Sequence, residues 1–261
     1  MSNKAVADGL IIRSYALGND KILTVLTKDG RISIIAKGAT TPRSKLLAAT
    51  NLFSYGNFEF YEKNGKKWLS NGSIKEKFSG VYNDIQSLAL ASYIVELAVE
   101  ISGEECEASE LLAMTLNTLY VIANRLKPVD VIKAVYELFA VDISGFAPDL
   151  SGCIRCGGTE GNGFWLDVMN GGIICERCMS RSGGIENTAE LDPLDTRNIL
   201  LPIDASSLSA MRYCFRALPK RKFAFELSGG ESLAKFTRAC EVYLVNHLEK
   251  CISPLEFYRK M

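Results

Sequence analysis

Histidine is nearly absent from this chain of 261 residues, with His247 as the single example. A Ser-His-Asp or Cys-His catalytic arrangement therefore has only this candidate base, and it falls in the hydrophobic stripe of a predicted helix, which favours a packing role. The G-x-x-x-x-G-K-[ST] loop that cradles phosphates is also missing. Together these absences argue against a hydrolytic enzyme.

Long hydrophobic runs are missing as well. No stretch approaches the roughly 18 consecutive apolar residues of a membrane span, and the opening residues MSNKAVADGLIIRSY lack an apolar core followed by a cleavage site. With 48% apolar and 23% charged residues, the composition is typical of a soluble globular protein. We therefore expect a cytoplasmic protein with no membrane partner, in which paired cysteines indicate metal or redox chemistry rather than disulfides.

Net charge is zero overall but unevenly distributed. Residues 1–80 contain 13 Lys/Arg and 6 Asp/Glu, whereas residues 81–152 contain 3 and 11. Because charges act over about 10 Å at ordinary salt, the basic first part remains a candidate surface for a polyanion. The alternative is that the basic and acidic regions face each other.

The first 80 residues predict a small β-domain. Runs rich in β-branched and aromatic residues read as strands at 9–15, 21–27, 31–38, 57–63 and 66–74. Asp29-Gly30 and Asn64-Gly65 are strong hairpin signals between neighbouring runs. Four or five short strands are too few for a sandwich, so they favour a small closed or partly open barrel.

From about residue 81 the hydrophobic period changes from two to between three and four, which predicts helices. The predicted helices cover residues 83–101, 108–126, 129–141, 206–218 and 231–250. Asn83 or Asp84 is available as the N-cap of the first, and Pro128 suits the first turn of the third. The second part of the chain is therefore expected to be helical.

Four of the eight cysteines form two C-x2-C pairs. The pairs are Cys153 with Cys156, and Cys175 with Cys178. Two such turns, separated by roughly 15 to 20 residues, can direct four sulfurs at one metal ion about 2.3 Å away. Between them, FWLDV and GGII predict two short strands around Asn170-Gly171 that return the second pair to the first.

Four thiolates leave no open coordination position, which is typical of a structural zinc ribbon rather than a catalytic site. We therefore predict one structural zinc ion per chain. A redox C-x2-C pair, an iron–sulfur cluster and a metal-free ribbon remain as alternatives. Cys214 and Cys240 fall on helical stripes, where free cysteine acts as a small apolar residue.

The basic barrel is a suitable platform for nucleic acid, because phosphates accept charge-assisted contacts and unpaired bases stack on aromatic rings. A basic loop, predicted at residues 37–49, is interrupted by Pro42 and enters a short helix at Ser44. Candidate phosphate contacts are Arg31, Lys37, Arg43 and Lys45, with Lys63, Lys66 and Lys67 on the second hairpin. Candidate stacking residues are Tyr15, Phe53, Tyr55, Phe58, Phe60, Tyr61 and Trp68, of which strand alternation places half or more in the core.

The segment SYALGNDKILTVLTKDGRISIIAKGATTPRSKL, residues 14–46, resembles the N-terminal part of the DNA repair protein RecO family. In that family two strands lead to a Gly-rich turn, a third strand ends in Ala-Lys-Gly, and a basic stretch follows. The closing HLEKCISPLEFYRK, residues 247–260, is similar to the family's C-terminal signature. The chain departs from the family at two places. Many members have Gly-Glu-x-Asp where this chain has Gly18-Asn19-Asp20, and a run of arginines where it has Ala39-Thr40-Thr41. Fewer positive charges at the second place weaken phosphate attraction.

The resemblance implies an α+β protein. An OB-fold nucleic-acid-binding domain would span residues 1–80, and an all-helical domain would span residues 81–261, with an inserted four-cysteine zinc ribbon-like motif at 150–182. The family's basic DNA-contacting segment corresponds to Lys37, Arg43 and Lys45.

The resemblance also implies a function, that of a DNA repair and homologous recombination mediator with no catalytic activity and no small-molecule substrate. Such a protein binds single- and double-stranded DNA, anneals complementary strands, and with RecR helps load RecA on DNA coated with single-stranded DNA-binding protein (SSB). It would be cytoplasmic and associated with the nucleoid.

The acidic helical region would repel DNA and is expected to meet proteins. In the family it offers an apolar pocket to the acidic tail of SSB, for which the available cations are Arg125, Lys127 and Lys133. A second hypothesis is a zinc-stabilised helical adaptor whose barrel contacts protein and binds little DNA.

Overall fold

The computed structural model describes residues 4–161, 163–181, 199–227 and 229–248. None of the helices in these ranges combines the length and hydropathy needed to cross a membrane. The chain forms two compact units. One contains a β-barrel and the first two helices, and the other begins at Asp130.

Five strands form the barrel. They are β1 (Lys4–Leu17), β2 (Asp20–Thr27), β3 (Gly30–Ala36), β4 (Tyr55–Lys63) and β5 (Lys66–Glu76). The barrel closes in the order β1-β2-β3-β5-β4, with β3 parallel to β5 and the other pairs antiparallel. This confirms the predicted small barrel and is consistent with an OB-fold.

Both predicted hairpins are present in the barrel. The turn between β4 and β5 has positive φ angles at Asn64 (53°) and Gly65 (69°). Two-residue hairpin turns of type I′ require positive φ at both central positions, which Asn-Gly adopts at little cost. The local sequence therefore sets the register of this hairpin, with Lys63 directly opposite Lys66.

Inward-facing strand residues fill the barrel. The core contains Ile11, Leu23, Val25, Ile34, Ala36, Ala39, Phe58, Phe60 and Leu69. The predicted basic loop follows β3, but its short helix is a 3-10 turn at Ala48–Thr50 rather than a helix from Ser44. The Ser44 hydroxyl instead accepts a hydrogen bond from the backbone N–H of Leu46 at 3.2 Å, a local turn that competes with helix formation.

Two helices follow the barrel in the described part of the first unit, α1 (Ile85–Ile101) and α2 (Ser109–Ala123). Asp84 caps α1 as predicted, because its carboxylate accepts the Ser87 N–H at 2.7 Å. Most of the circumference of α1 is buried, whereas Ile85 in its first turn is 64% exposed. Arg13 of β1 donates from Nε to Glu96 of α1 at 3.0 Å, which ties the helix to the barrel.

The second unit contains α3 (Val129–Ile143), α4 (Glu176–Arg181), α5 (Ala205–Arg216) and α6 (Gly230–Leu248). A four-stranded sheet in the order β6-β8-β7-β9 accompanies them, from β6 (Asp149–Cys153), β7 (Gly163–Asp167), β8 (Gly172–Cys175) and β9 (Leu200–Asp204). The antiparallel β7–β8 pair confirms the hairpin predicted between the cysteine pairs.

β6 and β9 had no counterpart among the sequence predictions. The last two residues of the helix predicted at 231–250 lie outside the described residues, as does nearly all of the C-terminal segment 247–260.

Candidate functional site

The four paired cysteines meet at one end of the second unit's sheet. Cys153 ends β6 and Cys175 ends β8, and these neighbouring strands run parallel, so both cysteines lie at the same edge. Cys156 follows in the turn after β6, which is closed by a 2.7 Å hydrogen bond from the Gly157 N–H to the Cys153 carbonyl. Cys178 lies in α4, which starts directly after β8.

The spacing of the sulfur atoms fits a tetrahedral metal ion. All four Sγ atoms lie within 4.8 Å of one another, and the Sγ atoms of Cys156 and Cys175 are 3.7 Å apart. Metal–sulfur bonds of about 2.3 Å in a tetrahedron give sulfur–sulfur separations of about 3.8 Å, whereas a disulfide requires about 2.05 Å. All seven cysteines in the described ranges are free. The cluster can therefore hold a metal ion, as predicted from its spacing.

Backbone and side-chain donors surround the cluster. The Cys175 N–H donates to Cys153 Sγ at 3.3 Å, and Arg177 Nη2 donates to Cys156 Sγ at 3.6 Å. The Gly158 N–H and the Arg177 guanidinium lower the pKa of Cys156 to about 6. Burial raises the pKa of Cys153, but the N–H donors around it outweigh burial and lower it. Hydrogen bonding with Cys156, together with burial, raises the pKa of Cys178 to about 12. The donors thus favour negative charge on the sulfur atoms of Cys153 and Cys156, which a cation would neutralise.

The candidate phosphate contacts lie in different settings on the barrel unit. Lys37, Arg43 and Lys45 are all exposed in the loop after β3. None of these three forms an ion pair or side-chain hydrogen bond with the described part of the chain. Arg31 is only half-exposed, and its guanidinium donates to the Val99 carbonyl of α1 at 2.8 Å.

Hydrogen bonds hold the basic loop against the turn between β1 and β2. The Thr40 N–H donates to the Asn19 carbonyl at 3.2 Å, and the Thr41 hydroxyl donates to the Gly38 carbonyl at 2.8 Å. Asp20 accepts the Gly38 N–H at 2.7 Å. Of the residues that depart from the family pattern, Thr40 and Thr41 therefore help to place the loop through their hydroxyls, which donate to the Gly18 and Gly38 carbonyls, whereas Asn19 contributes only its backbone carbonyl.

Lys37 also lines a cleft of about 400 Å³ beside the β4–β5 turn. The cleft is lined by Lys37, Tyr61, Lys63, Asn64, Lys66 and Trp68. A second cleft of about 380 Å³ contains Arg31, Lys66 and Lys67 but also Glu104 and Glu105. Only the first of these two clefts is free of acidic lining residues.

The candidate stacking residues divide between core and surface. Phe53, Phe58 and Phe60 are buried in the barrel unit. Tyr55 and its neighbour Lys75, whose Nζ lies 5.7 Å from the ring centroid, form a cation–π pair. Tyr15 is 58% exposed, and Tyr61 and Trp68 are half-exposed. The sequence alone did not distinguish these last three from core residues.

Lys133 was predicted to be available as a cation for the acidic tail of SSB, but the structure buries it. It is 5% exposed and pairs with Glu137 at 2.7 Å and with Glu241 of α6. Its ammonium is therefore committed inside the second unit. The i,i+4 spacing of Lys133 and Glu137 on a helix was the sequence signal for this ion pair.

His247, the single histidine, has a packing role. Its ring stacks on Tyr243 with centroids 4.0 Å apart, and its Nδ1 lies 2.9 Å from the Tyr243 carbonyl. This agrees with the packing role expected from its helical stripe.

Comparison with known proteins assigns the chain to a family. The model of the Recombination protein O N terminal region matches residues 1–78, and that of the Recombination protein O C terminal region matches residues 82–190.

Among curated proteins, the DNA repair protein RecO of Acetivibrio thermocellus is 26% identical over 262 residues, covering 99% of this chain and 98% of that protein. RecO of Halalkalibacterium halodurans is 31% identical over 178 residues, covering 67% of this chain and 69% of that protein. RecO of Listeria innocua is 32% identical over 176 residues, covering 67% of this chain and 68% of that protein. The barrel, the helices and the four-cysteine cluster agree with these matches. The chain therefore belongs to the RecO family of DNA repair proteins.

Proposed function

We propose that this chain is a recombination mediator that carries out no bond chemistry of its own. It would bind single- and double-stranded DNA, anneal complementary strands and, with RecR, help load RecA on SSB-coated DNA. A cytoplasmic, nucleoid-associated location and the absence of a small-molecule substrate belong to the same proposal. Membership of a DNA repair family supports it.

The observation that carries the DNA-binding part is the group of exposed cations on the barrel. Lys37, Arg43 and Lys45 lie on one loop with no ion-pair partner among the described residues. An unpaired surface cation is available to displace counterions from a phosphate. We propose these three as phosphate contacts within a nucleic-acid-binding domain at residues 1–80, followed by a helical domain at residues 81–261. Arg31 would be a peripheral contact, because its guanidinium already bonds to Val99.

For the cysteine cluster we propose zinc in a structural role. One ion would be bound by Cys153, Cys156, Cys175 and Cys178. Four thiolates would leave no coordination position on the ion for a substrate. A closed four-thiolate site contributes folding free energy to the segment that carries it and supplies no reactive water. The zinc would therefore stabilise the sheet edge of the second unit.

Partner proteins would meet the acidic helical region. Arg125 is 64% exposed at its side chain and pairs with Asp84 at 2.8 Å. Its neighbours include exposed apolar side chains, at 54% for Leu126 and 64% for Ile85. An exposed cation beside apolar side chains suits the acidic tail of SSB, so we propose Arg125 rather than the buried Lys133 as its counter-charge.

The test is DNA binding as a function of salt. We would compare wild type with a K37A/R43A/K45A variant, and with K28A/K75A/K77A, which removes the same charge from exposed barrel-unit positions outside the basic loop. Each lost contact to single-stranded DNA lowers the salt slope by roughly 0.7, so three lost contacts lower it by about 2. Between 50 and 200 mM salt the wild type should then lose about 20-fold more affinity than the loop variant.

The control variant should keep a slope close to that of wild type. Annealing of SSB-coated complementary strands, with and without RecR, tests the mediator role directly. If the wild type binds no DNA at low salt, with or without RecR, the mediator proposal is wrong and the zinc-stabilised adaptor replaces it.

A further inference from the structure

We propose that the outer face of the barrel carries a stacking site for unpaired bases of single-stranded DNA, centred on Tyr61 and Trp68. This inference rests on the proposed DNA-binding function and deepens it. It assigns the recognition of unpaired strands to aromatic side chains, while the lysines beside them hold the phosphates.

The strand register places Tyr61 and Trp68 together. Tyr61 of β4 lies directly opposite Trp68 of β5, and the next pair along the ladder is Phe60 with Leu69. Phe60 and Leu69 belong to the barrel core. Because successive residues of a strand point to opposite faces, Tyr61 and Trp68 lie on the outer face. An outward-facing pair of large aromatic rings has no packing role inside the barrel.

This pair is part of a continuous apolar row around the barrel. Trp68 pairs with Ile35 of β3, Ile35 with Ile22 of β2, and Ile22 with Tyr15 of β1. All of these side chains are half-exposed or exposed. At about 4.8 Å between strands, the four steps from Tyr15 to Tyr61 trace an arc of about 19 Å around the closed barrel. Ile22 and Ile35, in the middle of the row, line the cleft that also contains Glu104 and Glu105, so the stacking site is assigned to the Tyr61–Trp68 end of the row.

Positive charge accompanies the Tyr61–Trp68 end of the row. Lys37, Lys63 and Lys66 line the same cleft of about 400 Å³ as the two aromatic rings, and no acidic residue lines it. None of these lysines has an ion-pair partner in the described ranges. A cationic groove with aromatic rings on its floor is the arrangement that binds single strands with little sequence preference. The neighbouring cleft with Glu104 and Glu105 is less suited to a phosphate chain.

The indole of Trp68 gives an independent indication. Its Nε1 is buried without a hydrogen-bond partner among the described residues. Buried N–H groups are nearly always paired, so an orphaned donor requires an explanation. A base edge or phosphate oxygen bound in the cleft that Trp68 lines would provide the missing acceptor.

Duplex DNA cannot use such a site, because its bases are already stacked and their faces are covered. The aromatic pair should therefore matter for single strands alone. The lysines should matter for both forms, because single and double strands both present phosphates.

The first experiment measures binding of an oligothymidine and of a duplex of equal length to wild type, Y61A, W68L and W68F. Loss of one stacked base corresponds to roughly a 5- to 150-fold loss of affinity. W68L and Y61A should lose that much for the single strand and less than twofold for the duplex, with an unchanged salt slope. W68F should retain most of the single-strand affinity. K37A/K63A/K66A should weaken both forms and lower the slope.

The second experiment leaves the site intact. Trp68 and Trp165 are the two tryptophans of the chain, so in a W165F background the fluorescence reports on Trp68. Oligothymidine should quench this emission and duplex should not. Equal losses for both DNA forms in W68L, or unquenched Trp68 emission with the single strand bound, would refute the stacking site while leaving DNA binding by the barrel intact. A wild type that binds neither DNA form would refute both proposals.

Discussion

Replacing Lys133 by methionine should destabilise the second unit strongly. Lys133 is 5% exposed and its Nζ lies 2.7 Å from Glu137, which is fully buried, while Glu241 completes the network. Methionine has a similar length and no charge, so the substitution removes the cation and creates little empty space. What remains is a buried carboxylate that has lost its ammonium partner.

The magnitude follows from this geometry. At 2.7 Å and an effective dielectric constant of about 20, the attraction is roughly 6 kcal/mol before the cost of desolvation. Removing one member of a buried ion pair typically costs about 3 to 5 kcal/mol, because the remaining charge stays desolvated. For a unit of this size, 3 kcal/mol corresponds to a fall in Tm of about 10 °C.

The assay is urea unfolding monitored by circular dichroism, with thermal unfolding beside it. K220M removes an exposed lysine of the same unit and should change stability by less than about 0.5 kcal/mol. A K133M/E137L double variant should recover part of the loss, because an apolar pair often replaces a buried ion pair without cost. If the free energy of unfolding of K133M lies within about 1 kcal/mol of the wild-type value, the buried network is refuted and Lys133 is again a candidate contact for a partner protein.

Three further predictions concern the cluster, a helix cap and the barrel. Cys175→Ser should reduce bound zinc from about one ion per chain to near none, measured by metal analysis of the purified protein, whereas Cys106→Ser, outside the cluster, should keep it. Asp204→Ala should destabilise the protein by about 1 kcal/mol and Asp204→Asn by less, because the carboxylate caps α5 through the Ser207 N–H at 2.8 Å. Burial raises the pKa of Asp204, but the Ser207 N–H and the Ser232 hydroxyl outweigh it and lower the pKa below its ordinary value. The stabilisation from Asp204 should therefore be complete above about pH 4 and lost as the pH falls further, which acid unfolding of wild type against Asp204→Asn measures. Arg13→Met should cost about 1 to 2 kcal/mol by breaking its hydrogen bonds to Glu96, and equal stability of variant and wild type in urea would contradict this.

Much of the fold could be predicted because its signals are local. Asn64-Gly65 and Asn170-Gly171 specify tight turns through the backbone angles that they tolerate. Asp84 caps α1 through a residue only three positions away. The two C-x2-C turns are likewise short-range, and their spacing alone predicted that four sulfurs would meet.

The missed strand shows where local signals end. β9 contains Pro202, which argues against a strand in the sequence. The structure pairs β9 with β7 alone, at the edge of the sheet, where a residue without an N–H is tolerated. The position of β9 at the edge depends on its pairing with β7, more than 30 residues earlier in the chain. A local sequence pattern contains no information about such a distant partner.

The sequence by itself therefore determined the barrel, the helices, the cysteine cluster and the family, since each depends on residues close together in the chain. Only the tertiary structure decided which charged and aromatic side chains are available. It placed Arg31 against Val99, 68 residues away, and Lys133 against Glu241, 108 residues away. It also turned Tyr61 and Trp68 outward beside Lys37. The identity of a lysine or an aromatic residue does not show whether it lies in a core or on a surface. Long-range packing alone determines which of its atoms contact solvent.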